Sequence, residues 1–275
     1  MAFVALEAQI AELTTQVNAL TATYRTKAET IDAAVDKAIR AIPNNARILY
    51  VDPRSGDDTG PGTQARPLQT LKAACDMVPI GGYGTIYLPL SPVVCDIDAN
   101  IAVRHKSIRI SPLPYPSPAG AQADRSVMPL IRQREAADKS EAYGFVVDCG
   151  ALWIQYCRVE TVTAATNPPW SGLLVKRSDV MGSHVGLHYC DIRLGSTPLV
   201  YRSQGAASVW VQVYGCSIDR LVPGKGNLLA AQDQPAVLGV ALTSLPAGLT
   251  LADLISGLRR DADGRVYNVL CSEVL

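Results

Sequence analysis

The sequence predicts a mainly β protein whose central part is a coiled parallel β-sheet, preceded by an α-helical coiled coil and followed by a small C-terminal α+β module. Three observations predict it: an N-terminal heptad pattern, a strand-like motif that occurs three times between residues 152 and 218, and a change of pattern after residue 221. The expected divisions are residues 1–43 for the stem, 44–83 for a first strand, loop and capping helix, 84–221 for the coiled sheet, and 222–275 for the module.

The N-terminal segment has apolar residues at the a and d positions of a heptad, as coiled coils do. β-Branched residues at some a positions with leucine at d favour two strands, but the e and g positions hold few charges that would enforce a dimer. The heptads therefore leave two or three strands open, and a single amphipathic helix lying on the body is the alternative. The residues expected to pack in this stem are Leu6, Ile10, Leu13, Val17 and Leu20.

A turn-rich segment links the stem to the coiled sheet. Pro43 lacks an amide proton and two asparagines follow it, so the helix is expected to end here. Residues 48–51 are typical of a short strand, residues 52–67 of a loop, and residues 68–78 return to a helical period. A short helix at this place would cover the open end of a β-solenoid, where apolar side chains and strand edges are otherwise exposed.

The central segment repeats the spacing h-x-h-x-x-C-x-h, in which h is an aliphatic residue. The apolar period of two is that of a strand, and one extra residue before each cysteine breaks the alternation and bends the chain. The cysteines lie 33 and then 26 residues apart, about one coil of a solenoid with loops of unequal length. Cys157, Cys190 and Cys216 are therefore expected to point inward as a core ladder, with chance similarity among β-rich segments as the alternative.

The last 54 residues, 222–275, show a different pattern. A turn-rich linker over residues 223–226 precedes a helical pattern over 249–258 and a closing strand over 266–270. A module of this size hides little apolar surface unless it packs on the coil or on copies of itself.

Composition excludes several classes of partner. The 275 residues include 25 basic and 25 acidic side chains, a balance that does not favour nucleic acid or an anionic membrane. No apolar run approaches the roughly 18 residues that span a bilayer, and the N-terminus lacks the cleavage region of a signal peptide, so no membrane insertion is expected. Seven cysteines without a C-x-x-C pair predict reduced thiols, with Cys271 exposed, and neither a metal nor a cofactor.

One segment supports a resemblance. Its residues are Tyr50, Val51, Asp52, Pro53, Gly56, Asp57, Asp58, Gly60, Gly62, Pro67, Thr70, Leu71 and Ala74. This segment resembles the opening of bacteriophage tail fibre and tailspike proteins with a pectate-lyase-like β-helix, although Leu68 stands where that family more often has Phe. The resemblance covers about residues 47–90 by motif and extends to residue 220 by repeat pattern. It implies a right-handed parallel β-helix, usually homotrimeric, in a virion tail assembled in the host cytoplasm.

The function that this resemblance implies is binding. A structural or receptor-facing tail component would bind host surface glycan or another tail or baseplate protein, whereas the alternative is a depolymerase, a glycoside hydrolase or polysaccharide lyase with paired carboxylates. Asp191 and Asp219 follow their cysteines by one and three residues, so they do not match in position and no catalytic residue is assigned. Trp153 and Trp210 face outward by alternation and are the candidate binding residues, with packing between subunits as their competing use.

Two further patterns have structural interpretations. His184 and His188 are four residues apart on an expected strand, where that spacing does not form the metal-binding face of a helix, so they are interpreted as ordinary polar residues. The run from Asp261 to Gly264 matches part of a calcium loop but lacks the later acidic ligand, so a hairpin turn is expected.

Overall fold

The computed structural model describes residues 2–113, 125–163, 172–176, 182–202, 208–231 and 235–273. The protein is mainly β, with one long helix at its N-terminus and parallel sheets in the remainder. It divides into two compact units, Met1–Asn45 and Ala46–Leu275.

The first unit is the helix α1, Ala2–Asn45, which extends two residues past Pro43. Threonine hydroxyls along the helix donate hydrogen bonds to the backbone carbonyls four residues earlier, so these hydroxyls have their partners within the helix itself. The apolar side chains at the a and d positions are exposed: Leu13 is 61% exposed and Leu20 is 56% exposed, and Ile10 and Val17 are similarly open. We call these four residues the stem seam. Leu6 belongs to the same helix, but its side chain lies outside the described residues.

The second unit contains, within the described residues, 19 strands, one short α-helix and two 3-10 turns. The elements are β1 Ala46–Tyr50, α2 Leu71–Met77, β2 Tyr83–Pro89, β3 Val94–Ile97, β4 Ile101–Arg104, β5 Ser107–Leu113, β6 Leu130–Gln133, β7 Phe145–Asp148, β8 Ala151–Gln155, β9 Arg158–Glu160, β10 Leu174–Lys176, β11 Ser183–His188, β12 Asp191–Leu194, β13 Val200–Arg202, β14 Val209–Tyr214, β15 Ser217–Arg220, β16 Leu229–Ala230, β17 Ala236–Ala241, β18 Ile255–Ser256 and β19 Val269–Cys271. The 3-10 turns are Arg125–Val127 and Ala252–Leu254.

These strands form three parallel sheets. The long sheet has the order β1-β2-β5-β8-β11-β14-β17-β19, the six-stranded sheet β18-β16-β13-β10-β7-β4, and the five-stranded sheet β15-β12-β9-β6-β3. From β3 to β17 the chain visits the five-stranded, six-stranded and long sheets in that order and then begins again. We call one such visit to each sheet a round. Each strand therefore pairs with the strand of the same sheet in the next round.

The apolar alternation places matching side chains in line from round to round. Ile154 of β8 lies beside Leu187 of β11, which lies beside Val213 of β14. In the five-stranded sheet Val159 and Ile192 are paired in the same way. All five are buried, and the buried side chains of the three sheets belong to one hydrophobic cluster.

The three repeat cysteines lie where the chain leaves the long sheet for the five-stranded sheet. Cys157, Cys190 and Cys216 are all buried, and the Cys190 amide donates to the Cys216 sulfur at 3.3 Å. The residue before each cysteine has a left-handed backbone, with φ of 52° at Tyr156 and 62° at Gly215. The extra residue of the motif thus supplies the turn, and the cysteine that follows it is returned to the core.

The same bend occurs a fourth time without a cysteine. Leu242 has φ of 52°, and Thr243 follows it in the place of the thiol. The Thr243 hydroxyl donates to the Ala241 carbonyl at 3.0 Å, as the Cys216 thiol donates to the Tyr214 carbonyl at 3.4 Å. A small side chain that can donate to the backbone is what this position requires, so a pattern that demands cysteine misses the fourth member.

The helix α2 is capped at both ends. Asp58 accepts from the Gln69 and Thr70 amides at 2.8 Å each, and the Thr70 hydroxyl accepts from the Ala73 amide at the N-terminus of α2. At its C-terminus Lys106 donates to the Cys75 carbonyl at 2.7 Å. The helical period expected over residues 68–78 is thus confirmed over Leu71–Met77, and Asp58 has a structural role.

Residues 222–275 differ from the separate α+β module that the sequence predicts. β16 and β17 pair with β13 and β14, and β18 and β19 extend the same two sheets. The helix expected over 249–258 is wrong, because the chain there forms a 3-10 turn and β18. Leu254 is buried, and its carbonyl accepts from the Leu228 amide at 2.8 Å, so pairing with the preceding round outweighs the helical spacing of the apolar residues.

A buried polar cluster joins successive rounds after the five-stranded sheet. Gln133 is 1% exposed, and its amide donates to the Tyr143 carbonyl at 2.9 Å. Its side-chain oxygen accepts from the Val162 amide at 3.1 Å and from the Thr197 hydroxyl at 2.8 Å. The Thr161 hydroxyl donates to the Thr197 carbonyl at 3.0 Å. Gln133, Thr161 and Thr197 thus satisfy backbone groups that the bends leave outside the sheets.

Burial predicts low thiol reactivity. Five of the seven cysteines are buried, and Cys149 and Cys271 are partly exposed. Burial raises the pKa of Cys75 and Cys95 to about 12 and that of Cys157 well above its usual value. Because the thiolate is the reactive form, we expect Ellman's reagent to modify no more than two thiols per folded chain and all seven after unfolding. Rapid modification of a third thiol in the native protein would contradict this burial.

Candidate binding surface

The two tryptophans that the sequence predicts as binding residues lie on the outer face of the long sheet. Trp153 is in β8 and is half-buried, and Trp210 is in β14 and is 53% exposed. β11 lies between these strands, so the two tryptophans are not neighbours. In the register of the sheet Trp153 lies beside Gly186 and Trp210 lies beside His184.

The histidines of β11 connect the two tryptophans. The His184 ring stacks on Trp210 with centroids 4.7 Å apart and an angle of 2°, and it contacts Trp153 at 4.4 Å. His188 contacts Trp153 at 5.0 Å and Tyr214 at 5.8 Å. We call Trp153, His184, His188, Trp210 and Tyr214 the aromatic strip. The strip crosses three adjacent strands as one continuous aromatic surface.

A glycine makes the strip possible. Trp153 lies across the adjacent strand at Gly186, and a Cβ at that position would overlap the Cε3 atom of the indole. Any other residue at position 186 would therefore force Trp153 away from the sheet and from both histidines. The central glycine of His184-Val185-Gly186-Leu187-His188 is thus part of the surface, although it contributes no side chain.

The interpretation of the histidines as ordinary polar residues does not match their position. His184 and His188 alternate with core residues and face the same side as Trp153, so their spacing of four on a strand places both within reach of one indole. Their Nε2 atoms are covered and have no hydrogen-bond partner in the described residues. The signal in the sequence was the period of two, which puts residues 184, 186 and 188 on one face.

The stacked histidines are held neutral. Burial lowers the pKa of His184. Burial also lowers the pKa of His188; a hydrogen bond that the ring donates to Gln212 opposes this, while the nearby charges of His184 and Arg109 add to it. Protonation of either ring would place a cation in a partly buried position among aromatic side chains.

Stability is therefore expected to fall with acidification. Both folded-state pKa values lie below the unfolded value of 6.5, so the unfolded chain binds more protons as the pH falls below 6.5. The loss stops once the pH lies below the folded-state pKa values. We expect urea denaturation to give a smaller free energy of unfolding at about pH 5.5 than at about pH 7.5.

Substitution of the histidines tests whether the aromatic strip causes this pH dependence of stability. His184→Gln with His188→Gln is expected to remove this part of the pH dependence, whereas His105→Asn, at the one other histidine and an exposed position, is expected to retain it. An equal pH dependence in the wild type and the double variant would show that the strip histidines are not its source.

A cavity of about 600 Å³ adjoins the strip at the beginning of five strands of the long sheet, β5, β8, β11, β14 and β17. Trp210 and His184 line one part of it, and Ser183, Ser208 and Cys149 add small polar groups. Its volume is within the range of sites for small ligands. Ser183 and His184 do not form a nucleophile and base pair, because the Ser183 hydroxyl donates to the Val147 carbonyl at 3.3 Å and the His184 Nε2 is covered. The arrangement can hold a neutral group against an aromatic face.

Asp191 and Asp219, which the sequence does not match as a catalytic pair, have structural partners. Asp191 lies 3.3 Å from Arg193, 3.8 Å from Arg158 and 3.9 Å from Arg125, and it accepts from the Ser217 hydroxyl at 3.0 Å. Asp219 accepts from the next backbone amide in the chain at 2.8 Å. Asp191 is buried among its arginine partners and lacks the open face that an acid or nucleophile beside a glycosidic bond needs, whereas Asp219 is exposed.

The outer face of the five-stranded sheet carries a row of alternating charge. Its members, one from each strand in register, are Asp219, Arg193, Glu160, Arg132 and Asp96. Arg132 and Asp96 form a forked pair at 2.7 and 3.1 Å. Opposite charges on adjacent parallel strands favour this register, and the charges of the row nearly cancel.

Comparisons of the chain with protein-family models, with curated proteins and with solved structures find no match. Within the described ranges no three His, Cys, Asp or Glu side chains group as metal ligands. No helix among the described residues is long and apolar enough to cross a membrane.

Proposed function

We propose that this chain is a structural component of a phage tail, a homotrimeric fibre or spike whose second unit is a right-handed parallel β-helix. The observation that carries this proposal is the stem seam, a stripe of exposed apolar side chains along a 44-residue helix. A helix of this kind is stable in water when other helices bury the stripe. Three parallel copies of the helix would bury their stripes against one another, and the three β units would then begin at the same height along the shared axis.

The order of the strands supports the β-helix. The chain passes through the three sheets in a fixed order for five rounds, and the inward side chains of all three sheets belong to one cluster. Closure of the three sheets around that cluster buries it on all sides. Connections between parallel strands of one sheet are right-handed in nearly all proteins, which is why we propose that hand.

Such a body is a rigid shaft that binds rather than reacts. The aromatic strip offers an uncharged surface for contact with another protein chain, while Asp191 is engaged by arginines and Asp219 accepts from a backbone amide. No observation on these residues favours the depolymerase alternative. Sustained release of oligosaccharides from host polysaccharide by the purified protein would overturn the binding-only role.

The experiment that tests the proposal is immunogold labelling. Antibodies against the purified chain are applied to phage particles produced from the genome that encodes it and to particles from which its gene has been deleted. We expect gold on the tails of the first and not of the second. Assembled particles of the first kind without labelling would refute a place in the virion.

A further inference from the structure

The outer face of the long sheet has almost no charge. Three rows of outward positions cross its strands in register. The rows are Tyr83, Ser107, Ala151, His184, Trp210, Val237, Leu270; then Ile48, Thr85, Arg109, Trp153, Gly186, Gln212, Gly239; then Tyr50, Tyr87, Ser111, Gln155, His188, Tyr214, Ala241. Arg109 is the one formally charged residue in these rows, and its guanidinium lies 5.8 Å from the centre of the Tyr83 ring.

The five-stranded sheet has the opposite character. Its outward positions hold the alternating charged row and the ion pairs of Asp191, as expected for a face in water. The two faces belong to one folded unit and experience the same solvent unless something covers one of them. The difference therefore indicates that the face of the long sheet is covered.

Large apolar side chains stand exposed along the whole uncharged face. Ile48 near one edge is 64% exposed, Trp210 in the middle is 53% exposed, and Leu270 at the other edge is 72% exposed. A patch that extends from the first to the last strand of an eight-stranded sheet is larger than a site for one small ligand, and patches of this kind mark protein contacts. The cavity beside Trp210 is lined by the first one or two residues of five of these strands, from Ser107 of β5 to Val237 of β17, and does not extend along the strands.

The connection to the stem indicates what covers the face. α1 ends at Asn45 and β1, a strand of the long sheet, begins at Ala46, so no linker separates them in the chain. Packed helices lie roughly 8–10 Å apart, and three parallel stems therefore deliver three copies of β1 close to one axis. Because β1 belongs to the long sheet, that sheet is the one joined directly to the stem.

We propose that the outer face of the long sheet is the surface through which copies of this chain contact one another along their β units. The occupant of each face is a second copy, and the inference rests on the homotrimer proposed above. An uncharged face suits a threefold arrangement, because identical charged rows near one axis would meet like charges. The aromatic strip would then supply buried aromatic anchors of the kind that dominate such interfaces.

The test measures how accessible Trp210 is in the full-length protein. Trp153→Phe with Trp170→Phe leaves Trp210 as the sole tryptophan, and its fluorescence is quenched with acrylamide. The control changes Trp210 to Phe as well and adds Val94→Trp, at an exposed outward position on the edge of the five-stranded sheet. We expect quenching of Trp210 to be severalfold weaker than quenching of the control, although Trp210 is half exposed in a single chain.

Two outcomes overturn the inference in distinguishable ways. A wild-type protein that sediments as a monomer removes the homotrimer and the inference together. A trimer in which Trp210 is quenched as readily as the tryptophan at position 94 refutes the interface alone. Hydroxyl-radical footprinting of the unsubstituted trimer repeats the comparison without variants: protection of Trp210, Ile48 and Leu270 supports the interface, and free oxidation of all three refutes it.

Discussion

Replacing Leu13 and Leu20 by glutamate is expected to dissociate the proposed homotrimer to monomers at low protein concentration. Both leucines are at d positions of the stem seam and are more than half exposed in the single chain. Each contributes about 1.5–3 kcal/mol when it is fully buried, and the substitution replaces that gain by carboxylates facing like charges in a dry seam. The contacts proposed for the β units then lose the stem that keeps the copies together.

Sedimentation equilibrium of the full-length protein measures this result. The wild type is expected at three times the 29.3 kDa mass of the chain, and the double variant at the mass of one chain after dilution. Thr15→Glu is the matched control, because Thr15 lies outside the a and d positions and bonds only the Ala11 carbonyl of its own helix. A double variant that remains as associated as this control would show that the stem seam does not hold the copies.

Replacing Gln133 by leucine is expected to be the most destabilising single change outside the apolar core. Leucine has a similar volume but leaves the Tyr143 carbonyl, the Val162 amide and the Thr197 hydroxyl without their partner. A buried polar group left unsatisfied costs about 1–3 kcal/mol, and some of these groups have secondary contacts, so we expect a loss of about 2–5 kcal/mol.

Urea denaturation of the wild type and the variant at equal protein concentration measures the difference in free energy of unfolding. Gln69→Leu makes the same chemical change at an exposed side chain and is expected to alter stability little. If the two substitutions have the same effect, the buried polar cluster does not join the rounds as described.

Local patterns predicted which side chains are buried better than they predicted the neighbours of those side chains. The period of two put Leu152, Ile154 and their counterparts in the core, and the extra residue before each cysteine coincides with a left-handed backbone at Tyr156, Tyr189 and Gly215. These features depend on a few adjacent residues. A separate module after residue 221 was predicted because its helical spacing is also local, but pairing with β13 and β14 decided its structure.

The candidate surface was only half predictable for the same reason. Alternation turned Trp153 and Trp210 outward, yet it could not show that His184 stacks on Trp210 or that Trp153 lies over Gly186. Those contacts join residues about 26 to 33 positions apart, and they depend on the register between rounds.

Short-range patterns of the chain account for the N-terminal helix, the inward and outward faces of the strands, and the bends at the cysteines. Each of these follows from a period of seven, a period of two, or one inserted residue. Pairing between rounds accounts for the links that Gln133 makes to three rounds, for the continuation of the sheets by the last residues, and for the sheet face that is almost free of charge. Parallel pairing joins residues that are far apart in the chain, and because the loops between them differ in length, no fixed spacing in the sequence reveals which residues pair.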